Sequence, residues 1–491
     1  MKMTYYLGID LGTSAIKTIL IDHQQTEHAS VTVPLSIARP HQGWSEQNPE
    51  DWWQGVDQAI TEIAQNHPEQ CAQLRGIGLS GQMHGLVALD ADHAPLRDAI
   101  LWNDTRANEE AAMLDQKHPQ FRAIGGNIVM AGFTAPKAVW MARHEAELFA
   151  QINTILLPKD YLRFRLTGQM VSDMSDASGT LWLDVENRCW SEELLAATGL
   201  RLDQMPRLVE SSEKSGHLSA SLCQKWGIKG DVVVAGGAGD NAAAAIGLGM
   251  TEPEDCFVSL GTSGVVYKVK DGFYKNPDKA VHAFCHALPQ SWHQMGVILS
   301  AGDSMAWLSD VMGQDVAKLL KQMNDDNRLE IWPLFHPYLS GERTPHNIHE
   351  PRGGFFGLSR RHDTGDMVRA VLQGVSYAIG DAFDVLDDQQ NPDHHMKPAQ
   401  VIATGGGAKN RYWLECIASV MDCNIDVPKD SDIGAALGAG RLAMLADGFA
   451  IKYVCQKPAI AHRVMPDPAL QEALYKGRAL SQHLFEATNL H

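Results

Sequence analysis

The sequence feature that most constrains the fold is a strand–turn–strand pattern that occurs twice. Residues 5–21 have the sequence YYLGIDLGTSAIKTILI, and residues 256–267 have the sequence CFVSLGTSGVVY. An apolar strand, a glycine turn and a second β-branched strand are typical of a tight hairpin. Because the two turns stand about half a chain length apart, we expect two related domains, each built around one hairpin.

Both turns also carry groups that suit phosphate oxygens. Thr13 stands in the first turn and Thr262 in the second, each beside backbone N–H groups that a glycine turn leaves free. The sequence contains no G-x-x-x-x-G-K-[ST] motif, so a P-loop is excluded and the phosphates must be held in another way. We therefore expect the two domains to grip a nucleoside triphosphate between their hairpins.

Chain length and charge limit the domain count and the partners. A chain of 491 residues is too long for one ordinary core, so two or three domains are expected. The sequence MTEP at residues 250–253 is the expected boundary, which predicts domains of residues 1–250 and 251–491. The formal net charge of -18 argues against a polyanion partner, because nucleic acids and anionic membranes bind basic surfaces.

Cysteine spacing and apolar runs indicate the compartment. The 8 cysteines are scattered without a C-x-x-C pair, which indicates neither a disulfide framework nor a zinc site. The first residues enter a strand without the apolar core of a signal peptide, and no apolar run is long enough to span a bilayer. A cytoplasmic protein that binds neither nucleic acid nor membrane is therefore expected.

The later half contains a recognisable α/β pattern. A polar loop at 387–395 leads to a strand at 401–404, and a helix with Trp413 on its apolar face follows. A strand at 425–427 and a helix from Ile433, capped by Asp432, complete a β-α-β-α run. Such a run implies parallel strand pairing with a right-handed crossover.

Two short motifs indicate other chemistry, and each lacks its usual context. Residues 76–81 match the G-x-G-x-x-G spacing of a dinucleotide site, but the strand overlaps the glycines and another strand follows them. The sequence GDS at 302–304 resembles a serine-hydrolase block but has no nucleophile-elbow spacing. A dehydrogenase therefore remains only an alternative, which a nicotinamide absorbance change without ATP use would reveal.

Two aspartates stand where phosphoryl transfer would need them. That reaction requires a metal on the phosphate oxygens and a carboxylate beside the attacking hydroxyl. Asp10 ends the first strand and could hold Mg²⁺ through water, although aspartate is also common as a turn cap. Asp240 follows the glycine-rich bend 236–239, although it could simply cap the next helix. Two acids beside glycine turns favour a functional pair.

Two further segments could line ligand sites, and each has an ordinary structural interpretation as well. The loop GGGAKN at 405–410 would let a purine or its ribose approach closely, but many β-to-α loops look the same. Met83 and His84 lie between two glycines and could line a pocket. A lone histidine beside an apolar residue is, however, more often a structural hydrogen-bonding group.

Several motifs together resemble the FGGY family of carbohydrate kinases. They are GQMHG at 81–85, LWND at 101–104 with Arg106, PYLSGERTP at 337–345, GL at 357–358, DM at 366–367 and AVLQ at 370–373. The last three are similar to the C-terminal signature of the family. The similarity runs from about Tyr5 to about Leu445, which is nearly the whole chain.

The resemblance implies an α/β fold of two ribonuclease-H-like domains, as in actin-like ATPases, with a cleft between them. It implies that residues 1–250 bind the sugar and that residues 251–491 bind the nucleotide, with ATP and Mg²⁺ as cofactors. The implied activity is ATP-dependent phosphorylation of a ketose. Within the family, the motifs resemble most the branch that phosphorylates D-xylulose on its terminal hydroxyl.

The resemblance also implies roles for individual residues. Asp240 would be the general base, and Asp10 would serve the metal. The implied sugar-binding residues are Gln82, Met83, His84, Trp102, Asp104, Asp240 and Asn241. The implied nucleotide-binding residues are Thr13, Thr262, Gly302, Gly406, Gly407 and Asn410. Asp303 differs from the family pattern, which reduces the weight given to Gly302.

Other activities and a quaternary structure stay open at this point. The acceptor could be L-ribulose, L-xylulose, glycerol or gluconate, because pocket shape reads hydroxyl stereochemistry. A non-transferring ATPase of the actin or chaperone type would share the hairpins, but this sequence lacks the long polymer or client-binding module of such proteins. Sugar-dependent ADP release would separate these classes. The resemblance further implies a possible homodimer.

Overall fold

A computed structural model describes residues 3–324, 328–386, 398, 400–430 and 434–488. The strands before residue 250 are β1 (Tyr5–Leu11), β2 (Ala15–Asp22), β3 (Glu27–Pro34), β4 (Glu46–Gln47), β5 (Leu74–Gly81), β6 (Val87–Leu89), β7 (Ala99–Ile100), β8 (Thr154–Leu156), β9 (Val171–Asp173), β10 (Leu183–Asp184), β11 (Cys189–Trp190), β12 (Arg207–Val209), β13 (Lys214–His217), β14 (Val233–Ala235) and β15 (Ala238–Gly239). The helices of this half are α1 (Pro49–Asn66), α2 (Pro68–Cys71), α3 (Asn108–Lys117), α4 (Gln120–Ile124), α5 (Thr134–His144), α6 (Ala146–Phe149), α7 (Pro158–Thr167), α8 (Met174–Ser178), α9 (Glu192–Ala196), α10 (Ala220–Lys225) and α11 (Asp240–Gly247).

The later half continues the same alternation. Its strands are β16 (Cys256–Leu260), β17 (Gly264–Lys270), β18 (His282–Cys285), β19 (Trp292–Ile298), β20 (Leu334–His336), β21 (Gly354–Phe356), β22 (Val401–Thr404), β23 (Ile425–Pro428) and β24 (Ile460–Val464). Its helices are α12 (Gly302–Met312), α13 (Val316–Leu320), α14 (Thr364–Asp384), α15 (Arg411–Met421), α16 (Ala435–Ala446), α17 (Ile451–Val454) and α18 (Pro468–Thr488). The predicted loop at 387–395 and the predicted helix start at Asp432 and Ile433 lie outside the described residues.

The first sheet has the strand order β13–β14–β5–β1–β2–β3, and β15 also pairs with β5. The first hairpin is confirmed, because β1 and β2 pair antiparallel, and β3 pairs antiparallel with β2. β1 and β5 pair in parallel, with Leu11 opposite Gly81. Nearly every residue of β1 is buried, as expected for a strand that is covered on both faces.

Alternate residues of β1 point to two different helices. Leu7 and Ile9 belong to the core that includes α1, which begins with the Asn48 side chain accepting from the N–H of Glu50. The opposite face of β1 and β5 packs against α16, which comes from the later half of the chain. A Cβ atom added to Gly78 would lie 1.8 Å from the carbonyl oxygen of Ala439, so only glycine allows this contact.

The second sheet has the strand order β18–β19–β17–β16–β22–β23–β24. The second hairpin is confirmed, because β16 and β17 pair antiparallel with Leu260 opposite Gly264. β22 pairs in parallel with both β16 and β23, as the predicted β-α-β-α run requires. Within the described ranges, no helix is long and apolar enough to cross a membrane.

The region between β7 and β14 forms a layer that joins the two sheets. The Nδ2 atom of Asn127 donates to the carbonyl oxygen of Ala283 at 3.0 Å, and the Oγ atom of Ser178 accepts from the N–H of Cys285 at 3.0 Å. Both partners lie on β18, the edge strand of the second sheet. The division of the chain into 1–250 and 251–491 stays a prediction, and both this layer and α16 make contacts across it.

Candidate active site

The carboxyl ends of three parallel strands meet at one edge of the first sheet. Leu11 at the end of β1 and Gly239 at the end of β15 both lie opposite Gly81 at the end of β5. Asp10, the segment 82–84 and Asp240 are therefore brought together, although they are far apart in the sequence. Ligands of α/β sheets bind at this kind of edge, outside the carboxyl ends of the strands.

Asp10 is held at this edge by one short hydrogen bond. The Oγ atom of Ser80, on the neighbouring strand, donates to Oδ1 of Asp10 at 2.8 Å. Burial raises the pKa of Asp10, while the bond from Ser80 and the positive charge of Lys17 lower it. Lys17 lies directly opposite Asp10 in the hairpin. The carboxylate is thus fixed in place but incompletely neutralised by the protein.

Asp240 is the first residue of α11, and its position makes it a base of unusual strength for an aspartate. Its Oδ1 atom accepts from the backbone N–H of Asn241 at 2.7 Å and from Nδ2 of Asn241 at 2.9 Å. Burial and the negative charge of Asp10 raise the pKa of Asp240 to about 6. A carboxylate with this pKa is mostly ionised at neutral pH and still able to accept a proton.

Met83 and His84 lie directly against the strand that ends at Asp240. A Cβ atom on Gly239 would lie 2.8 Å from Cγ of Met83, so the methionine packs on the backbone beside the catalytic candidate. The Nδ1 atom of His84 lies 2.7 Å from the carbonyl oxygen of Gly179. Burial lowers the pKa of His84 to about 3, so the ring is neutral, Nδ1 donates, and Nε2 remains an acceptor.

Gln82, Thr13 and Trp102 form a chain of hydrogen bonds behind this segment. The Nε1 atom of Trp102 donates to Oγ1 of Thr13 at 2.9 Å, and that hydroxyl donates to Oε1 of Gln82 at 3.0 Å. Gln82 in turn donates to Oε1 of Gln47 at 3.0 Å. The only proton of the Thr13 hydroxyl is therefore already engaged, and this hydroxyl could donate to a phosphate only by leaving Gln82.

Asp104 is buried and fully engaged with its neighbours. It accepts from the N–H of Ser45 at 2.6 Å and pairs with the guanidinium of Arg106 at 2.7 Å. A buried carboxylate held in this way is stabilised by its partners and has little capacity left for a ligand. Asp104 lies on the wall of the large cavity described next, and its contacts support that wall.

A cavity of about 950 Å³ lies between the layer that joins the sheets and the later half of the chain. Its lining residues include His84, Trp102, Asp104, Phe133, His282 and Arg343. Its lining does not include Gln82, Met83, Asp240 or Asn241. Since His84 belongs both to the lining and to the segment 82–84, the cavity lies next to the edge of the first sheet. Sequence reasoning assigned no role to Arg343, although this residue lies in a motif that marks the family, and no signal identified Phe133 or His282.

The second hairpin and the glycine loop also meet at one sheet edge. β16 and β22 are parallel, with Ser259 opposite Thr404, so the exposed turn with Thr262 lies near residues 405–409. The N–H of Gly302 donates to the carbonyl oxygen of Gly261 at 2.9 Å, which places the start of α12 against the same turn. The N–H of Asp303 likewise donates to the carbonyl oxygen of Thr262 at 3.1 Å, so backbone hydrogen bonds join this helix start to the turn.

The three residues predicted in the glycine loop have different surroundings. A Cβ atom on Gly406 would meet nothing within 4 Å, so this position faces open space. A Cβ atom on Gly407 would lie 2.4 Å from the Trp413 ring, and Asn410 caps α15 by accepting from the N–H of Trp413 at 2.9 Å. Gly406 is therefore the residue best placed for close approach of a nucleotide.

A buried ion cluster supports β15, the strand that ends directly before Asp240. The Nζ atom of Lys159 lies 2.6 Å from Asp160, 2.7 Å from Asp173 and 3.4 Å from Asp176. These three aspartates have the spacing of a metal site, but the ammonium group already occupies the position between them. Ser175, which directly precedes Asp176, accepts through its hydroxyl from the N–H of Gly239 at 3.2 Å. This bond links the cluster to the residue before Asp240.

Comparisons with known proteins identify the family. The model for the N-terminal domain of the FGGY family of carbohydrate kinases matches residues 5–247, and the model for its C-terminal domain matches residues 256–446. The chain belongs to the FGGY family of carbohydrate kinases. The predicted family and the predicted fold class of two actin-like domains are thereby confirmed.

Individual FGGY kinases are similar to this chain over most of its length. The xylulose kinase of Escherichia coli (strain K12) is 48% identical over 444 residues, which cover 90% of each chain. A crystal structure of a xyloylose (xylulose) kinase from Brucella ovis has a TM-score of 0.95 and 47% identity, covering 99% of each chain. A gluconate kinase from Lactobacillus acidophilus has a TM-score of 0.91 and 25% identity, covering 99% of this chain and 98% of its own.

Proposed function

We propose that this FGGY kinase transfers the γ-phosphoryl group of ATP to the 5-hydroxyl of D-xylulose. The chemistry rests on one observation, the half-buried carboxylate of Asp240 beside Met83 and His84, at the edge where three parallel strands end. The choice of D-xylulose is supported by the similarity of nearly the whole chain to xylulose kinases from Escherichia coli and Klebsiella pneumoniae.

In the proposed reaction, Asp240 accepts the proton of the 5-hydroxyl as its oxygen attacks the γ-phosphorus atom in line with the leaving ADP. The O–H bond and the bond from the γ-phosphorus to the bridging oxygen break, and one new O–P bond forms. A pKa of about 6 matches a base that is ionised before the reaction and protonated during it. Closure of the two domains would exclude water, which would otherwise compete with the sugar.

Mg²⁺ fits the same edge of the sheet. Asp10 and Asp240 are close enough for the charge of one to raise the pKa of the other, and a cation near Asp10 would relieve this repulsion. Asp10 would hold the ion, in part through water, and the ion would neutralise charge on the phosphate oxygens. The residues of this chain would meanwhile orient the hydroxyl and hold its proton on Asp240.

The other predicted site residues divide between the two substrates. We propose that Met83, His84 and Asn241 contact the sugar, while Gln82, Trp102 and Asp104 hold those contacts in place through their own hydrogen bonds. The exposed Thr262 turn and the open position at Gly406 would contact ATP, and Gly302 would hold that turn in place through its bond to Gly261. The environments of these groups support this division.

ADP release measured with a panel of sugars tests the proposal directly. D-xylulose should give the highest kcat/KM in the panel, and Asp240→Asn should abolish turnover while ATP binding, followed by calorimetry, stays largely intact. An exposed aspartate, Asp203, provides the matched control variant Asp203→Asn. Turnover retained by Asp240→Asn would refute the role of the base, and a higher kcat/KM with another sugar would refute the choice of substrate.

Other acceptors and other classes give different results in the same assay. L-ribulose, L-xylulose, glycerol and gluconate belong in the panel, since a gluconate kinase shares the fold. An actin-like ATPase without an acceptor would release ADP at the same rate with and without sugar. A homodimer and a cytoplasmic location also stay predictions, which light scattering and cell fractionation can test.

A further inference from the structure

Arg343 is the charged side chain in the cavity that the proposed function leaves without a task. The other charged side chains on the wall have partners, because Asp104 pairs with Arg106 and Asp115 pairs with Arg122 at 2.6 Å. Among the residues that the structure describes, none makes a hydrogen bond or an ion pair with the guanidinium of Arg343. A guanidinium carries five N–H donors, so a group placed in this way is able to bind acceptor oxygens of a ligand.

The backbone around Arg343 is fixed on both sides. Glu342 accepts from the N–H of Leu299 at 3.0 Å and from the N–H of Arg343 itself at 2.7 Å. On the other side, Oγ1 of Thr344 accepts from the N–H of Val297 at 3.0 Å. Arg343 is therefore anchored to the end of β19 in the second sheet, and its position is pre-organised before any ligand binds.

The side chain of Arg343 nevertheless lies next to the sugar-binding segment of the first domain. Burial lowers the pKa of both His84 and His282, and the positive charge of Arg343 lowers them further. His84 follows Met83, and Met83 packs on Gly239 beside Asp240. A continuous path therefore leads from the proposed base, along Met83 and His84, to the guanidinium that the opposite domain supplies.

A ketose bound along this path would present a specific group to Arg343. With its 5-hydroxyl at Asp240, D-xylulose directs its other end, the 2-carbonyl and the 1-hydroxyl, away from the base and along the path. Two oxygens on adjacent carbons match the fork of a guanidinium, which forms two parallel N–H···O bonds more readily than an ammonium does. A carbonyl oxygen only accepts hydrogen bonds, and every N–H of the guanidinium donates.

We propose that Arg343 binds the α-hydroxyketone end of the sugar, so that the second domain reads the carbonyl group while the first domain holds the reacting hydroxyl. This inference rests on the proposed function and deepens it. Arg343 would then be a specificity residue that distinguishes a ketose from the corresponding polyol. Because its anchor lies on the second sheet, a bound ketose would also connect the two domains and favour their closed arrangement.

The test compares Arg343→Met and Arg343→Lys with the wild type, using D-xylulose and its reduction product xylitol as acceptors. For Arg343→Met, kcat/KM with D-xylulose should fall about 10- to 100-fold, the loss expected for hydrogen bonds from a charged group. With xylitol, which keeps the 1-hydroxyl but has no carbonyl, the loss should be smaller than with D-xylulose by at least about threefold. Arg343→Lys should recover only part of the loss, since it keeps the charge without the fork.

A stability measurement separates binding from a structural role. Burial lowers the pKa of Arg343 more than the charge of the neighbouring Glu342 raises it, so removal of the guanidinium should leave the melting temperature of the free enzyme unchanged or higher. At the same D-xylulose concentration, the increase in melting temperature caused by the sugar should be smaller in Arg343→Met than in the wild type. The matched control is Arg352→Met, in the same segment, because the Arg352 guanidinium lies outside the cavity and donates to the carbonyl oxygen of Thr488 at the surface.

Equal losses with D-xylulose and xylitol, or no loss with either, would overturn the inference. A second result would also overturn it. If the Arg343 variants kept normal kinetics with D-xylulose but lost inhibition by inorganic phosphate, Arg343 would bind anions and not the ketose. The failure of the proposed function looks different, because the wild type itself would then release no ADP with D-xylulose. In that case, the comparison is repeated with another pair of acceptors. They are the ketose that the wild type does phosphorylate and the polyol formed by its reduction.

Discussion

Replacement of Asp240 by asparagine should stop catalysis and, in the same protein, raise stability at neutral pH. Asparagine keeps the size of the side chain and its oxygen acceptor for the N–H of Asn241 but cannot take a proton. It also removes a negative charge that is buried and lies near the charge of Asp10. A carboxylate in such a position lowers the free energy of unfolding, and an enzyme that needs the carboxylate for its reaction cannot avoid this cost.

The size and pH dependence of the gain follow from the pKa of Asp240. Burial, together with the charge of Asp10, raises it from 3.8 to about 6, which corresponds to about 3 kcal/mol at about 1.36 kcal/mol per pKa unit. Below pH 3.8 the group is protonated in both folded and unfolded chains, so the charge costs nothing. As the pH rises from 3.8 through about 6, the unfolded chain ionises easily while the folded protein resists ionisation. The free energy of unfolding therefore falls, and the loss is complete above about pH 6.

Chemical denaturation of the wild type and Asp240→Asn, in buffer with EDTA and without nucleotide, measures this difference. At neutral pH the variant should be more stable by up to about 3 kcal/mol, and the difference should vanish towards pH 4. Asp203→Asn, at an exposed aspartate, should stay within about 0.5 kcal/mol of the wild type at both pH values. A gain that is absent at neutral pH, or equal at both pH values, would refute the buried-charge explanation.

Three further predictions concern the base, the contact between the halves and the buried ion cluster. The value of kcat/KM should fall with decreasing pH below about 6, because protonated Asp240 cannot accept a proton, and a pH profile that stays flat well below this value would contradict its role. Gly78→Ala should destabilise the protein by at least about 1–3 kcal/mol in thermal unfolding, because its Cβ would meet α16, whereas Gly354→Ala faces open space and serves as the control. Lys159→Met should cost about 3–5 kcal/mol, because Asp173 and Asp176 lose the ammonium group while Asp160 keeps only its pair with Arg163, and adding Asp176→Asn should restore part of the loss; additive losses would show that Lys159 and Asp176 do not interact.

The local parts of the fold could be predicted because their signals lie within short stretches of sequence. An apolar strand, a glycine turn and a β-branched strand specify a hairpin wherever they occur together, and both hairpins formed where they were expected. The cap at Asn48 depends on neighbours two residues away, so it was also predictable. The family motifs are contiguous, which explains why the resemblance was confirmed by the comparisons.

Other features depend on groups that are distant in the sequence. The packing of α16 on the first sheet joins Ala439 to Gly78, and neither residue carries a local mark of that contact. The hydroxyl of Thr13 looked free for a phosphate, but Gln82 and Trp102 engage it from other segments. A buried polar group forms hydrogen bonds with the groups that the fold brings near it. The turn motif that contains Thr13 does not show which groups these are.

Asp104 and Arg343 show, for charged side chains, the same difference between local features and features that depend on distant residues. The sequence by itself determined the family, the two hairpins and the kinds of residue available for phosphate transfer. Only the tertiary structure places Arg106 against Asp104, whereas in the described part of the chain no acceptor bonds to the guanidinium of Arg343 at the cavity wall. The physical reason is that the effect of a charge depends on its distance to other charges and on its exposure to water, and both are set when separate segments pack together.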